Sequence, residues 1–299
     1  MRVTQTMLDR NLVYGMNRDL ERLSKLNEQL STGQRINTFS DDVPGADAVL
    51  RLQRANGRIG TYLENIDSAG SMLSSATSTL QSVSEVMTQI RQLAVQAATE
   101  TYSDTDRQIM AQGVDNMLNT LVSLANVDLK GNYVFAGEAT HTSPYAVTKD
   151  AAGQVQSVTY QGEMVSTEAG VGPRSTTEMN LVGEGIFRRT GDIFRSVMQL
   201  RDAMKAGDTQ AINQLLGALD TSHTDITVSL GRLGERQNQL QVMKASLQTL
   251  KGLNDQGIAD KQGADMAQVT VEYNSMQALL QMVMKIAAQG AMPSIMDYM

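Results

Sequence analysis

Cysteine and tryptophan are absent from this chain. Without thiols there is no disulfide, no iron–sulfur cluster and no cysteine-ligated zinc, although the compartment stays open. Histidine occurs only twice, as His141 and His223. With no carboxylate–histidine cluster and no thiol nucleophile, the parts of an active site are missing, so neither enzyme nor signalling chemistry is expected, and no cofactor or metal. Aromatic residues make up 4 % of the chain against 41 % hydrophobic, a balance that suits helical rods better than a large mixed core. Apolar runs of about 18 residues are missing, so no membrane insertion is expected. The first residues, Met1-Arg2-Val3-Thr4-Gln5-Thr6-Met7, lack the apolar stretch of a Sec-type signal peptide. The chain is therefore expected to be cytosolic or to leave the cell by a route without a cleaved signal. Basic excess is lacking too: 25 Lys and Arg are interspersed with 32 Asp and Glu, a net charge of −7, which gives no basic face for nucleic acid.

What the chain has instead is apolar periodicity. From Ile59 to Ala98 two series recur in sevens: Ile59, Ile66, Leu73, Leu80, Met87, Ala94, and Tyr62, Ala69, Ala76, Val83, Ile90, Ala97. Offsets alternating three and four predict a long helix that packs on other long helices. Before it, Leu8, Leu12, Met16, Leu20, Leu23, Leu26 and Leu30 predict a helix over 8–30 that ends at Gly33. Asp41 and Asp42 ahead of Val43-Pro44 read as acidic caps of the next helix. Ser103 and Asp106 have capping-box spacing for a helix striped by Met110, Val114, Met117, Leu121 and Leu124.

Character changes after Lys130. Eight of the 24 glycines and four of the 12 Phe and Tyr residues lie between Gly131 and Ile186. Tyr133 and Phe135 alternate with Asn132 and Val134, and Val158 and Tyr160 alternate across Thr159, predicting short strands and turns. Its role is open between a solvent-facing spacer and a surface contact site. Helical spacing returns with Ile193, Val197, Leu200 and Met204, continues through Ile212, Leu215, Leu216, Leu219, Ile226, Leu230, Leu233, Leu240, Leu247 and Leu250, and closes with Met266, Val269, Tyr273, Met276, Leu280, Val283 and Ala287. His223 is expected on a solvated face of that run. Gln237, Lys244 and Lys251 make its seam more polar than the first.

Four segments resemble the bacterial flagellin family. They are Leu30-Ser31-Thr32-Gly33-Gln34-Arg35-Ile36-Asn37 with Ser40-Asp41-Asp42-Val43-Pro44-Gly45-Ala46; Arg91 to Ala98; Arg232-Leu233-Gly234-Glu235-Arg236-Gln237-Asn238-Gln239-Leu240; and Ile258 to Ala267. Arg35, Asn37, Asp41, Asp42, Arg91, Arg232 and Asn238 are the motif residues carried over. The short middle region, Gly131 to Gly137 and the tail Pro293 to Met299 resemble the family's hook–filament junction members more than its filament subunits. Val43-Pro44 departs from the family's usual small residues.

The resemblance implies a mainly α fold with a small β-rich inserted domain, long coiled-coil helices from both termini and a flagellin-like rod. Residues 1–45 with 255–299 are expected to form a terminal assembly domain that orders on polymerisation. Residues 46–130 with 187–254 would form a helical rod domain, and 131–186 the outer domain. Leu20, Leu23, Leu26, Leu30, Met266, Val269, Tyr273, Met276, Leu280 and Val283 are the expected assembly contacts. Ile66, Leu73, Leu80, Val83, Met87, Ile90, Leu233 and Leu240 would pack the rod. The 19 methionines suit either an adaptable contact or ordinary core filling. Implied partners are further copies of the chain, the first hook-associated junction protein, filament flagellin and an export chaperone. The implied location is the extracellular flagellum, reached by flagellar type III export. A minor filament flagellin is the alternative.

Overall fold

A computed structural model describes residues 5–290, with side chains from 10 to 286. Leu8, Ala287 and the tail from Pro293 therefore lie outside the described side chains. The chain divides into two compact units, one holding residues up to Arg58 and from Thr249 on, the other Ile59–Gln248. Seven helices carry most of the described chain: α1 (Gln5–Thr32), α2 (Val43–Ala97), α3 (Asp104–Ala125), α4 (Glu184–Phe187), α5 (Ile193–Ala206), α6 (Thr209–Gln262) and α7 (Met266–Gly290). Between α3 and α4 lie six short strands: β1 (Asp128–Leu129), β2 (Asn132–Tyr133), β3 (Tyr145–Lys149), β4 (Val155–Tyr160), β5 (Glu168–Gly172) and β6 (Ser175–Glu178). The fold is mainly α with a small strand-rich part, as the periodicity predicts.

In the unit Ile59–Gln248, both heptad series of α2 face the core. Every member is buried except Tyr62, which is half-buried. On α6, Ile212, Leu219, Ile226, Leu233, Leu240 and Leu247 are buried in the same core. Three polar pairs tie α2 to α6 along its length: Asp67 to Lys244 at 2.5 Å, Ser84 to His223 at 3.0 Å and Arg91 to Asp220 at 2.5 Å. His223 is thus half-buried and paired, not on a solvated face. His223 shares an i,i+7 series with Leu216 and Leu230, which are half-buried like it.

Capping chemistry sets the helix ends. Ser103 and Asp106 form a reciprocal capping box at the start of α3. Asp192 accepts from the Arg195 N–H to start α5, and Gly207, at φ 67°, ends it in the left-handed conformation. The face of α3 is wider than its predicted stripe. Ala111, Leu118 and Ala125 are fully buried, while Met110, Met117 and Leu124 sit half-buried at its edge.

The strands form three separate antiparallel hairpins, β1–β2, β3–β4 and β5–β6, not one sheet. Positive φ at Lys130 (55°) and Gly131 (84°) lets β1–β2 turn in two residues. Phe135 lies beyond β2, so the alternation through Tyr133 and Phe135 is not one strand. Val134, Phe135 and Ala136 are buried in succession. Isolated hairpins are marginal alone. Here Phe135, Tyr145, Tyr160, Phe187 and the α5 residue Phe194 pack ring to ring, with centroids 5.0–5.8 Å apart. Asn126, capping α3, donates to the Tyr145 carbonyl and accepts its N–H, both at 2.8 Å. Residues 131–186 therefore share their core with α3 and α5.

One ion pair locks that shared core. Arg201, 6 % exposed, donates to Asp115 and to the Val155 carbonyl, each at 2.7 Å, joining α5 to α3 and β4. Arg201 also pairs with the exposed Asp202 at 2.9 Å, so loss of Asp115 removes its one buried carboxylate partner and leaves the charge only partly compensated. Asp115→Ala is expected to lower unfolding stability by about 3 kcal/mol, measured by urea denaturation, with helix content at zero denaturant retained.

Candidate assembly surface

In the terminal unit, the connectors at 33–42 and 261–264 clasp one another. Gly33, at φ 69°, ends α1, and its carbonyl accepts from the Ala264 N–H at 3.0 Å. The Arg35 N–H donates to the Gln262 carbonyl at 2.7 Å. The Gln262 side chain donates to Gln34 at 2.8 Å and to the Ile36 carbonyl at 3.3 Å. The Arg35 guanidinium bridges the Lys261 carbonyl at 3.0 Å and Asp42 at 2.9 Å. It thereby satisfies an orphan carbonyl at the end of α6 with a cation. Asp42 also caps α2, accepting from the Gly45 N–H at 2.9 Å.

Asp41 has a different job from the cap expected of it. Its carboxylate accepts from the N–H groups of Asn37 and Thr38 at 3.0 and 2.9 Å and pairs with Lys25 of α1 at 2.8 Å. The Asn37 side chain turns back to the Gln34 carbonyl at 3.1 Å. A Cβ at Gly45 would stand 2.5 Å from Asp42 Oδ2 and 2.7 Å from Ile36 Cδ1, so a side chain there would push on the Asp42 cap. The motif residues Arg35, Asn37, Asp41 and Asp42 are thus gathered in one place. Their partners Lys25, Lys261 and Gln262 were missed, and heptad spacing gives no signal for a connector contact. Arg91, Arg232 and Asn238 belong to the other unit: Arg91 is paired with Asp220, and Arg232 and Asn238 are exposed.

Beyond the clasp, α1 and α7 pack antiparallel, with Arg22 3.7 Å from Glu272. Leu26 and Val269 are buried, and Leu23, Leu30, Tyr273, Met276, Leu280 and Val283 are half-buried, while Leu20 and Met266 are each 43 % exposed. Most of the expected assembly contacts are therefore covered within one chain. Besides Leu20 and Met266, the exposed large apolar side chains among the described residues of this pair are Leu12, Val13 and Tyr14 on α1 and Val271, Leu279, Met282, Met284 and Ile286 on α7. Lys285 is the only charged residue between Gln277 and Ile286. Exposed apolar side chains grouped in this way are the kind of feature that marks contact surfaces in proteins generally. Among the described residues, no three His, Asp or Glu side chains converge as a metal site, and no helix is long and apolar enough to cross a membrane.

The clasp is acid-sensitive. Lys25, then the Thr38 N–H, hold the Asp41 carboxyl far below the usual carboxylate range, and the Gly45 N–H and Arg35 lower that of Asp42. A lowered folded pKa gives stability that is present above the unfolded value, about 3.9, and is lost as pH falls below it. Melting followed by circular dichroism should show the transition temperature dropping between about pH 5 and pH 2. Asp41→Asn should start lower at neutral pH and drop less.

Known proteins resemble this chain in sequence and in fold. The family described as bacterial flagellin N-terminal helical region matches residues 3–140. Flagellar hook-associated protein 3 of Salmonella typhimurium is 30 % identical over 169 residues, 56 % of this chain and 53 % of that protein. The same protein of Escherichia coli is 31 % identical over 147 residues, 46 % of its length, so the match spans about half of each relative. The flagellar filament 30.7 kDa core protein of Treponema maltophilum is 23 % identical over 94 % of this chain and 92 % of its own. Among solved structures, a flagellar hook-associated protein of Vibrio parahaemolyticus superposes with a TM-score of 0.66 at 23 % identity, covering 75 % of this chain and all of its own. Flagellar hook-associated protein 3 of Legionella pneumophila gives 0.62 at 15 % identity, covering 71 % and 98 %. Residues 3–140 match the bacterial flagellin N-terminal helical region, and the chain resembles flagellar hook-associated protein 3 over about half its length and shares the fold of the two solved structures.

Proposed function

We propose that this chain is a non-catalytic structural subunit of the bacterial flagellum that forms the ring between a hook-side junction protein and the flagellin filament. The observation that carries the reading is the terminal unit itself. Its connectors are fixed by charged and backbone hydrogen bonds, while the far end of its helix pair leaves Tyr14 75 % and Met282 64 % exposed. Further copies of the chain, and the layers above and below, cover that end. Burial there contributes about 25 cal/mol per Å² before ordering costs are subtracted. Leu20, Leu23, Leu26, Leu30, Met266, Val269, Tyr273, Met276, Leu280 and Val283 act mainly through the helix pair that presents this surface. The ends order fully on polymerisation, and residues 1–45 with 255–299 behave as an assembly domain. Export runs through the flagellar type III route with a chaperone on the C-terminal region, and the working location is outside the cell.

A filament subunit is the second reading, favoured by the near full-length similarity to the Treponema maltophilum filament core protein. Electron microscopy of the purified chain separates them. Long filaments from this chain alone would favour the second, and their absence the first.

Met282→Asp places a charge on the exposed surface without touching the clasp. The soluble chain is expected to melt within about 1 °C of the parent, since surface changes cost little. In a motile bacterium relying on this chain, swimming should be lost. Normal swimming would show that this face is not an assembly surface.

A further inference from the structure

Two features at the surface of the unit Ile59–Gln248 complement each other. The first is a cleft of about 280 Å³ between β6, α4 and α6, with Leu181, Ile186 and Leu233 at its floor. Met164 stands at its rim, 64 % exposed, next to Val165 at 59 %. Two arginines line it. Arg236 is paired with Glu178 at 2.7 Å, whereas Arg232 is exposed and has no hydrogen-bond or ion-pair partner among the described residues.

The second is the turn between α2 and α3. Tyr102 is 37 % exposed there, flanked by Val95 at 44 % and Ile109 at 66 %. Glu100 is exposed and also has no partner among the described residues. The turn thus presents apolar side chains and a free carboxylate, and the cleft presents apolar side chains and a free guanidinium.

These features cannot meet within one chain. The pairs Asp67–Lys244 and Arg91–Asp220 show that α2 and α6 run antiparallel. Arg232 therefore stands opposite the middle of α2, roughly 20 residues, or about 30 Å, from the turn that follows Ala97. We propose that the α2–α3 turn of one copy seats in the cleft of a second copy, with Glu100 on Arg232 and Tyr102 against Met164. Two different patches meet, so the contact is heterologous and propagates around a ring or along a helical array. The apolar contact supplies the attraction, and the charge pair sets register and partner choice. The inference rests on the flagellar reading above and names the surface by which neighbours touch.

Because the chain has no cysteine, engineered thiols report the contact cleanly. Glu100→Cys and Arg232→Cys chains would be produced together in a flagellated bacterium relying on this chain, and its isolated flagella oxidised. A covalent dimer is expected when both variants are present and from neither alone. Chain present in the flagella without cross-linked dimer overturns the proposal, as does cross-linking by either variant alone. Absence of the parent, cysteine-free chain from isolated flagella overturns the flagellar reading itself, a separate result. Arg232→Glu should cut incorporation at least about tenfold with the melting temperature of the soluble chain unchanged, and Glu100→Arg in the same chain should restore it. Undiminished incorporation of Arg232→Glu contradicts the charge pairing.

Discussion

The heptad seam of α2 is the constraint on which the larger unit depends. From Ile59 to Ala97 a strip of side chains every third or fourth residue has to be kept from water, and a single helix cannot hide its own strip. Leu219, Ile226, Leu233, Leu240 and Leu247 of α6 join the same core, as do the buried faces of α3 and α5. Alanines at 69, 76, 94 and 97 and the larger Leu73, Leu80 and Met87 are all stripped of water. Close-packed interiors respond to single methylenes, so this alternation fixes how near neighbours can come. The hairpins at 128–178 contribute what the helices lack, a knot of aromatic rings that closes the core around Phe194.

The terminal unit solves a different problem. Two paired helices bury one face between them, and Leu26 and Val269 show how little is sealed there. Hydrophobic burial alone gives a pair of this size a marginal existence. Polar geometry does the fixing at the clasp end, where Arg35 serves an α6 carbonyl and the α2 cap at once. Toward the other end Leu12, Tyr14, Met282 and Ile286 are exposed among the described residues.

This division also explains what could be read from sequence. The seam of α2, the capping box at Ser103 and the left-handed Gly207 are local or periodic, and each follows from spacing over a few residues. The clasp is not. Arg35 and Lys261 are separated by 226 positions, and their contact is between a side chain and a carbonyl. Sequence spacing singles out Asp41 and Asp42 as acidic caps but cannot say that only Asp42 caps while Asp41 reaches Lys25. The same limit applies to Phe135, whose alternation with Tyr133 imitates a strand although it lies beyond β2 and packs edge-on against Phe187. It applies again to Leu23, Leu30 and Leu280. Heptad spacing shows that such residues need a partner, but not whether that partner is the same chain or another.

Polar residues in the α6 seam carry the argument one step further. Lys244 interrupts the apolar series, and in the larger unit it pairs with Asp67 of α2. In the terminal unit Asn254 takes the heptad place that Leu233, Leu240 and Leu247 hold before it. It donates to Asn56 at 2.9 Å, and Asn56 donates to Asp255 at 2.6 Å. Leucine there would bury more surface. A polar residue in a heptad position costs stability but admits one register, because any slip leaves its hydrogen bonds unmade. Two long helices with a uniform apolar seam could pair in several registers a heptad apart. The clasp tolerates none of these slips, since Arg35 reaches the Lys261 carbonyl only when α2 and α6 are aligned as they are. Within the terminal unit, Asn56 and Asn254 thus select the alignment in which the connectors meet.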